Sequence, residues 1–190
     1  MANVSIIGTG NMGQAIASVV SKGGNVVETF DHDDDRPVTG DIVVLAVPYP
    51  ALSDIVRSRG DQLAGKVVVD ITNPVNFETF DSLTVPSDSS AAAELSASLP
   101  DSRVVKAFNT TFAATLSSGT VGGLPTTVLM AGDDAAAKSQ LAEVVTAAGL
   151  NAIDAGALSR ARELEAFGFL QISLAAAEKL PWSGGFGVVA

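Results

Sequence analysis

Six residues, Gly8-Thr9-Gly10-Asn11-Met12-Gly13, constrain this chain more than any others. They follow Val4-Ser5-Ile6-Ile7, which reads as a strand. They open Asn11 to Lys22, where Ala15, Ile16, Val19 and Val20 recur on one helical face. A G-x-G-x-x-G turn between strand and helix has a physical logic. Gly8 permits the tight turn, Gly10 lets backbone approach a pyrophosphate with no Cβ between them, and Gly13 lets the helix pack close to the strand. The helix then points free N–H groups and its positive dipole end at the phosphates. An ordinary βα turn would use the same glycines without a ligand, but their place in a strand–turn–helix unit favours dinucleotide binding.

The rest of the chain alternates in the same way. Val26 to Phe30 reads as a strand, and the unbroken apolar run Ile42 to Val47 as one buried on both faces. Pro50 to Arg59 reads as a helix, Lys66 to Ile71 as a buried strand, and Ser89 or Ser90 as the cap of a helix through Ser98. Strands over Arg103 to Ala107 and Thr126 to Ala131 precede a helix from Asp133 or Asp134 through Ala148. Asn151 to Asp154 is a short strand and Leu158 to Lys179 a long final helix. The expectation is one α/β domain over 1–190, a Rossmann-type doubly wound, mainly parallel sheet closed by a C-terminal helix within 157–180. One half is short. Only His32 to Gly40, nine residues, separate the second strand's end from the next strand region. A βαβ crossover takes at least about 10–12 residues. The adenine-side crossover helix is therefore expected to be missing.

At 190 residues and 47% hydrophobic, the chain can fill a core without staples, and it has no cysteine for disulfides or thiolate chemistry. Eleven Lys and Arg against 21 Asp and Glu give a net charge of −10, which argues against nucleic acid and anionic membrane surfaces as partners. Ile42 to Pro48 is too short to span a bilayer, and Met1 to Gly8 does not read as a signal peptide, so a cytoplasmic protein is expected. Asp31 stands 18 residues after Gly13, where an acid commonly meets a ribose 2′-hydroxyl. A 2′-phosphate there would meet Asp31, Asp33, Asp34 and Asp35, with Arg36 and His32 the nearby cations, which favours NAD over NADP. The same Asp run also reads as a solvated loop, and His32 as an exposed loop residue.

Three later motifs make the pattern familiar: Asp41-Ile42-Val43-Val44-Leu45-Ala46-Val47-Pro48-Tyr49-Pro50, Val67-Val68-Val69-Asp70-Ile71-Thr72-Asn73-Pro74, and Val104-Val105-Lys106-Ala107-Phe108-Asn109-Thr110-Thr111. Ala131-Gly132-Asp133-Asp134 and Ala161-Arg162-Glu163-Leu164-Glu165 follow. With the glycine turn, this order resembles the F420-dependent NADP reductase family and the cytosolic domain of the six-transmembrane metalloreductases. The resemblance implies that Gly8, Thr9, Gly10, Asn11, Met12 and Gly13 bind the pyrophosphate. Asp31 and His32 stand where the family usually has Ser-Arg for the 2′-phosphate, a departure that bears on NADP preference. Ala46, Val47, Pro48 and Tyr49 would line the nicotinamide-side ribose. Asn73, Pro74, Ala107, Phe108 and Asn109 would floor the nicotinamide ring. The implied cofactor is NADP or NAD, with coenzyme F420 as second substrate.

The residues agree in part. Val47-Pro48, Asn73-Pro74 and Asn109-Thr110 fall just past predicted strand ends, the edge at which open α/β sheets bind ligands. They are also ordinary turn formers. Lys106, inside a strand, reads as a general acid, as the partner of an acid, or as snorkelling at an edge. Arg160 with Glu163 and Arg162 with Glu165 are candidate helical pairs. Met130, Phe108, Phe112, Phe167 and Phe169 read as core. With one histidine, no cysteine and no evident proton relay, the chain suits hydride exchange between two rings, where the cofactors carry the chemistry. A flavin, quinone or ferric chelate acceptor and a non-enzymatic binding module remain alternatives. The apolar face of Leu158 to Lys179 and the hydrophobic tail suit a homodimer, and burial within the monomer accounts for the same residues equally well.

Overall fold

The computed structural model describes residues 1–189. Parallel strands β1 (Asn3–Ile7), β2 (Val26–Phe30), β3 (Ile42–Leu45), β4 (Val67–Asp70) and β5 (Arg103–Ala107) are joined by β8 (Thr127–Gly132) and β9 (Asn151–Gly156). Among the described residues they form a seven-stranded sheet in the order β2-β1-β3-β4-β5-β8-β9. All neighbours run parallel except β5 and β8. Six helices cover the sheet: α1 (Asn11–Lys22), α2 (Leu52–Leu63), α3 (Ala91–Ser98), α4 (Ala113–Ser118), α5 (Ala135–Ala147) and α6 (Ala161–Ala176).

The strands' period-2 alternation divides the core in two. Val4, Ile6, Ile42, Val44, Val67, Val69, Val105 and Ala107 pack with α1, α4 and α5. Ile7, Val43, Leu45, Val68 and Val104 pack with α2, α3 and Ala161 at the start of α6. Local chemistry sets the helix starts. Ser90 Oγ accepts from Ala93 N at 3.0 Å, and Asp134 Oδ1 from Ala137 N at 2.8 Å.

Some boundaries differ from the sequence reading. The helix expected over Pro50 to Arg59 is a 3₁₀ turn (Tyr49–Ala51) leading into α2, which runs on to the fully buried Leu63. The expected final helix likewise begins as a 3₁₀ turn (Leu158–Arg160) and ends at Ala176. α4 and the small hairpin β6 (Thr120–Val121) and β7 (Leu124–Pro125) were not foreseen. They turn the chain round, which is why β8 enters antiparallel.

The missing crossover helix is borne out: a loop leads directly from edge strand β2 to β3. It is pinned to the sheet instead. Glu28 accepts from Ser5 Oγ at 2.6 Å and Thr39 Oγ1 at 2.8 Å, and Gly40 N donates to Ser5 Oγ at 2.9 Å. Arg36 and Arg59 stack over fully buried Phe30, 4.8 and 5.5 Å from its ring centre. Two arginines and Val38 thus cover what a helix covers in a full-length half.

Candidate dinucleotide site

The three glycines of the turn do three different jobs. Gly8 has φ +115°, and a Cβ there would lie 2.1 Å from the Ala46 carbonyl oxygen. A Cβ on Gly13 would lie 2.0 Å from the Gly8 carbonyl oxygen. Both are demanded by the fold itself. Gly10 is not. Its φ is −69°, which any residue adopts, and its Cβ would meet no atom within 4 Å. It caps α1 with no side-chain hydrogen bond, so no capping side chain occupies the first-turn N–H groups. Glycine is a favoured helix cap, and at 10 its missing Cβ also leaves room for a phosphate seated on the helix start. The turn fits a pyrophosphate.

Asp31 stands beside the turn as expected. Thr9 Oγ1 donates to its Oδ1 at 3.1 Å, and His32 N to the same atom at 2.8 Å. The His32 side chain is almost fully exposed, 4.0 Å from Asp33. Arg36, the nearby cation of the sequence reading, is committed: it grips Asp34 through two nitrogens and the Thr29 carbonyl through a third bond. The Arg36 guanidinium holds the Asp34 carboxyl below its usual range.

Ala46 and Val47 flank the turn, with Ala46 N donating to Ile7 O at 2.8 Å. Pro48 is exposed. The Tyr49 hydroxyl donates to Glu94 Oε2 at 2.6 Å across the groove between α2 and α3. Partial burial and the Glu94 carboxylate push its phenol up to about 12.

At the far end, Asn73 and Asn109 clasp each other. Asn73 Nδ2 donates to Asn109 O at 2.9 Å, and Asn109 Nδ2 to Asn73 Oδ1 at 3.0 Å and to Leu164 O of α6 at 2.9 Å. The clasp needs Gly168 of α6, where a Cβ would fall 2.3 Å from Asn73 Oδ1. Between β5 and Asn109, Phe108 takes φ +62°, rare for a bulky residue, and Thr111 bonds its carbonyl through both N–H and hydroxyl. The Ala107 and Phe108 side chains are core, so what they offer a ligand is backbone. Pro74 is buried, its carbonyl accepting from Thr84.

Directly beneath lies a buried ion cluster. Lys106 faces its cross-strand partner Asp70 at 2.8 Å and Glu165 of α6 at 2.8 Å, all essentially inaccessible. Of the readings open for Lys106, pairing with acids is the one observed. Glu165 also accepts from Ala91 N and Ala92 N at the start of α3. Burial pushes its carboxyl up against the opposing pull of Lys106. The expected pair of Arg162 with Glu165 is therefore not formed. Arg162 meets Glu163 at 2.9 Å instead, because Glu165 faces inward, while Arg160 lies 3.9 Å from Glu163. Asp70 and Glu165 stood in the sequence motifs without a role in the site, and Gly168 was not singled out at all. The one available signal was a lysine at an all-buried strand position.

The family model described as NADP oxidoreductase, coenzyme F420-dependent, matches residues 34–74. The F420-dependent NADP reductase of Methanocaldococcus jannaschii is 31% identical over 144 residues, covering 74% of this chain and 64% of that protein. Over most of its length this chain is similar to an F420-dependent NADP reductase. Metalloreductase STEAP3 of Rattus norvegicus is 39% identical over 109 residues, 57% of this chain and 21% of that one. The chain thus spans less than two thirds of either curated relative. A solved structure from Arthrobacter sp. FB24, described as a candidate F420-dependent NADP reductase, shares the fold with TM-score 0.87 over 100% of both chains at 24% identity. Among the described residues no helix is long and apolar enough to cross a membrane, and no group of His, Asp and Glu is placed to hold a metal ion.

Proposed function

We propose that this chain is an NAD(P)-dependent oxidoreductase that exchanges hydride with a small flavin-like acceptor, deazaflavin F420 being the first to test. The observation that carries the reading is the glycine turn at the α1 N-terminus, where Gly10 presents no Cβ to a phosphate seated on the helix start. Gly10 to Gly13 would hold the pyrophosphate, Asp31 the adenosine ribose, and backbone around Phe108 the nicotinamide end. When bound, a reduced nicotinamide supplies two electrons and a proton as hydride, and the oxidised acceptor takes these with one further proton from water. The chain's own task is positioning: the Asn73–Asn109 clasp and the ion cluster beneath it fix the strand ends against which two rings must meet. No proton relay is required of the side chains, which suits a site whose titratable cluster is sealed from solvent.

NADP is supported by the relatives' names, NAD by the carboxylates around Asp31. The reading includes a cytoplasmic setting and a homodimer through α6, where Leu170 is half exposed. The test is calorimetric titration of wild type and Gly10→Val with NADPH and NADH, followed by loss of reduced-nicotinamide absorbance with F420. Binding by wild type alone, with turnover, is expected. Binding without turnover on F420, flavins, quinones or ferric chelates would mean a binding module, and equal binding by Gly10→Val would remove the phosphate assignment.

A further inference from the structure

Between the first turns of α1 and α4 lies a cleft of about 760 Å³, within the roughly 300–1,000 Å³ typical of small-molecule sites. Met12, Phe112, Ala114 and Trp182 supply apolar walls, with polar groups from Asn11 and Gln14 of α1 and Ser117 of α4. Asn11 and Met12 belong to the glycine turn, so the cleft is continuous with the dinucleotide site.

Its outer wall is built by the chain's last residues. Trp182 meets Phe112 with ring centres 5.0 Å apart and planes tilted by 50°, yet it remains 54% exposed. The tail is anchored on both sides of that wall. Gly184 N donates to Pro181 O at 2.8 Å, Gly185 lies against Val121 and Gln171, and Phe186 packs on Phe167 at 5.3 Å. The tail thus holds a half-exposed indole in a defined place beside the cleft, with part of its surface open to a ligand.

Resting on the dinucleotide reading above, we propose that this cleft holds the flat ring of the electron acceptor, with Trp182 and Phe112 as its aromatic wall. Two tilted aromatic rings suit a planar π-system, and the few polar groups on α1 and α4 suit a heteroaromatic ring with hydrogen-bonding atoms on its edges. No charged side chain lines the cleft among the described residues, which favours a neutral heteroaromatic ring over a charged metal chelate.

Trp182 is the chain's one tryptophan, so its fluorescence reports on the cleft directly. The probe is riboflavin, titrated by Trp182 quenching in wild type and by equilibrium dialysis in wild type, Trp182→Ala, Trp182→Phe and Ala114→Leu. Ala114 is exposed on α4, so its substitution narrows the cleft without touching the core. Saturable quenching is expected. Loss of about tenfold or more in riboflavin affinity is expected for Trp182→Ala and Ala114→Leu, with recovery in Trp182→Phe and an unchanged affinity for the nicotinamide dinucleotide. No riboflavin binding, or affinity unchanged in both variants, overturns the proposal alone. Parallel loss of dinucleotide affinity in the variants would give the cleft to the dinucleotide and overturn it too. Failure of wild type to bind NADPH and NADH would overturn the underlying reading and this one together.

Discussion

The two ends of the candidate cleft are built on opposite principles. Around Asp31 the chain is a polar loop, its ion pairs exposed and its one aromatic anchor, Phe30, capped by arginines. Around Asn73 and Asn109 the groups are buried, cross-linked between β4, β5, α3 and α6, and tied to an ion cluster with no solvent access. A loop that holds itself by surface pairs can vary without unfolding the sheet. Strand ends locked through a helix cannot. On the function proposed above, recognition of the adenosine half would be left to adaptable parts, and placement of the reacting half to rigid ones.

The sharpest break in that contrast is Lys106→Ala. It strands two buried carboxylates, and an expected loss of about 3–5 kcal/mol should appear as a lower urea midpoint. Arg36→Ala, at the exposed end, should cost under ~1 kcal/mol in the same assay. Equal losses would erase the distinction.

Gly168→Ala comes next. Its methyl group would push into the Asn73–Asn109 clasp, costing about 1–3 kcal/mol. Turnover should fall more than dinucleotide affinity, since the displaced groups lie at the reacting end. A variant with wild-type melting and turnover would show the clasp to be yielding.

Asp31→Ser removes the carboxylate beside the glycine turn. The ratio of calorimetric affinities should move toward NADPH by about tenfold, ~1.4 kcal/mol, with no change in melting. A ratio that stays put would take Asp31 out of ribose recognition.

The smallest effect concerns the groove between α2 and α3. Tyr49 is the one tyrosine in the chain, and its phenol is raised to about 12. The native state therefore keeps this proton where the unfolded chain, near 10, has lost it. Stability should fall as pH rises across that interval. Glu94→Gln should lower the ultraviolet titration midpoint of Tyr49 and flatten the fall. An unmoved midpoint would show that the Glu94 hydrogen bond contributes nothing.

Much was legible in one dimension because it rests on local rules. The glycine turn, the period-2 strands, the Ser90 and Asp134 caps and the shortfall of residues after Asp31 all express the reach and sterics of a few adjacent residues. So the fold class, the truncated half and the phosphate turn follow from the sequence. What it left open depended on meetings between distant segments. Arg162 and Glu165 have ideal helical spacing, yet Glu165 is turned inward by a lysine 59 positions earlier, since 165 − 106 = 59. Gly168 reads as an indifferent helix residue until Asn73 arrives against it. Trp182 reads as part of a tail until it closes on Phe112. Sequence determined most of the elements and the shape of the glycine turn between β1 and α1. Only the tertiary structure decided which charges are buried together and which cleft adjoins the cradle, because burial and contact are properties of packed neighbours rather than of spacing along the chain.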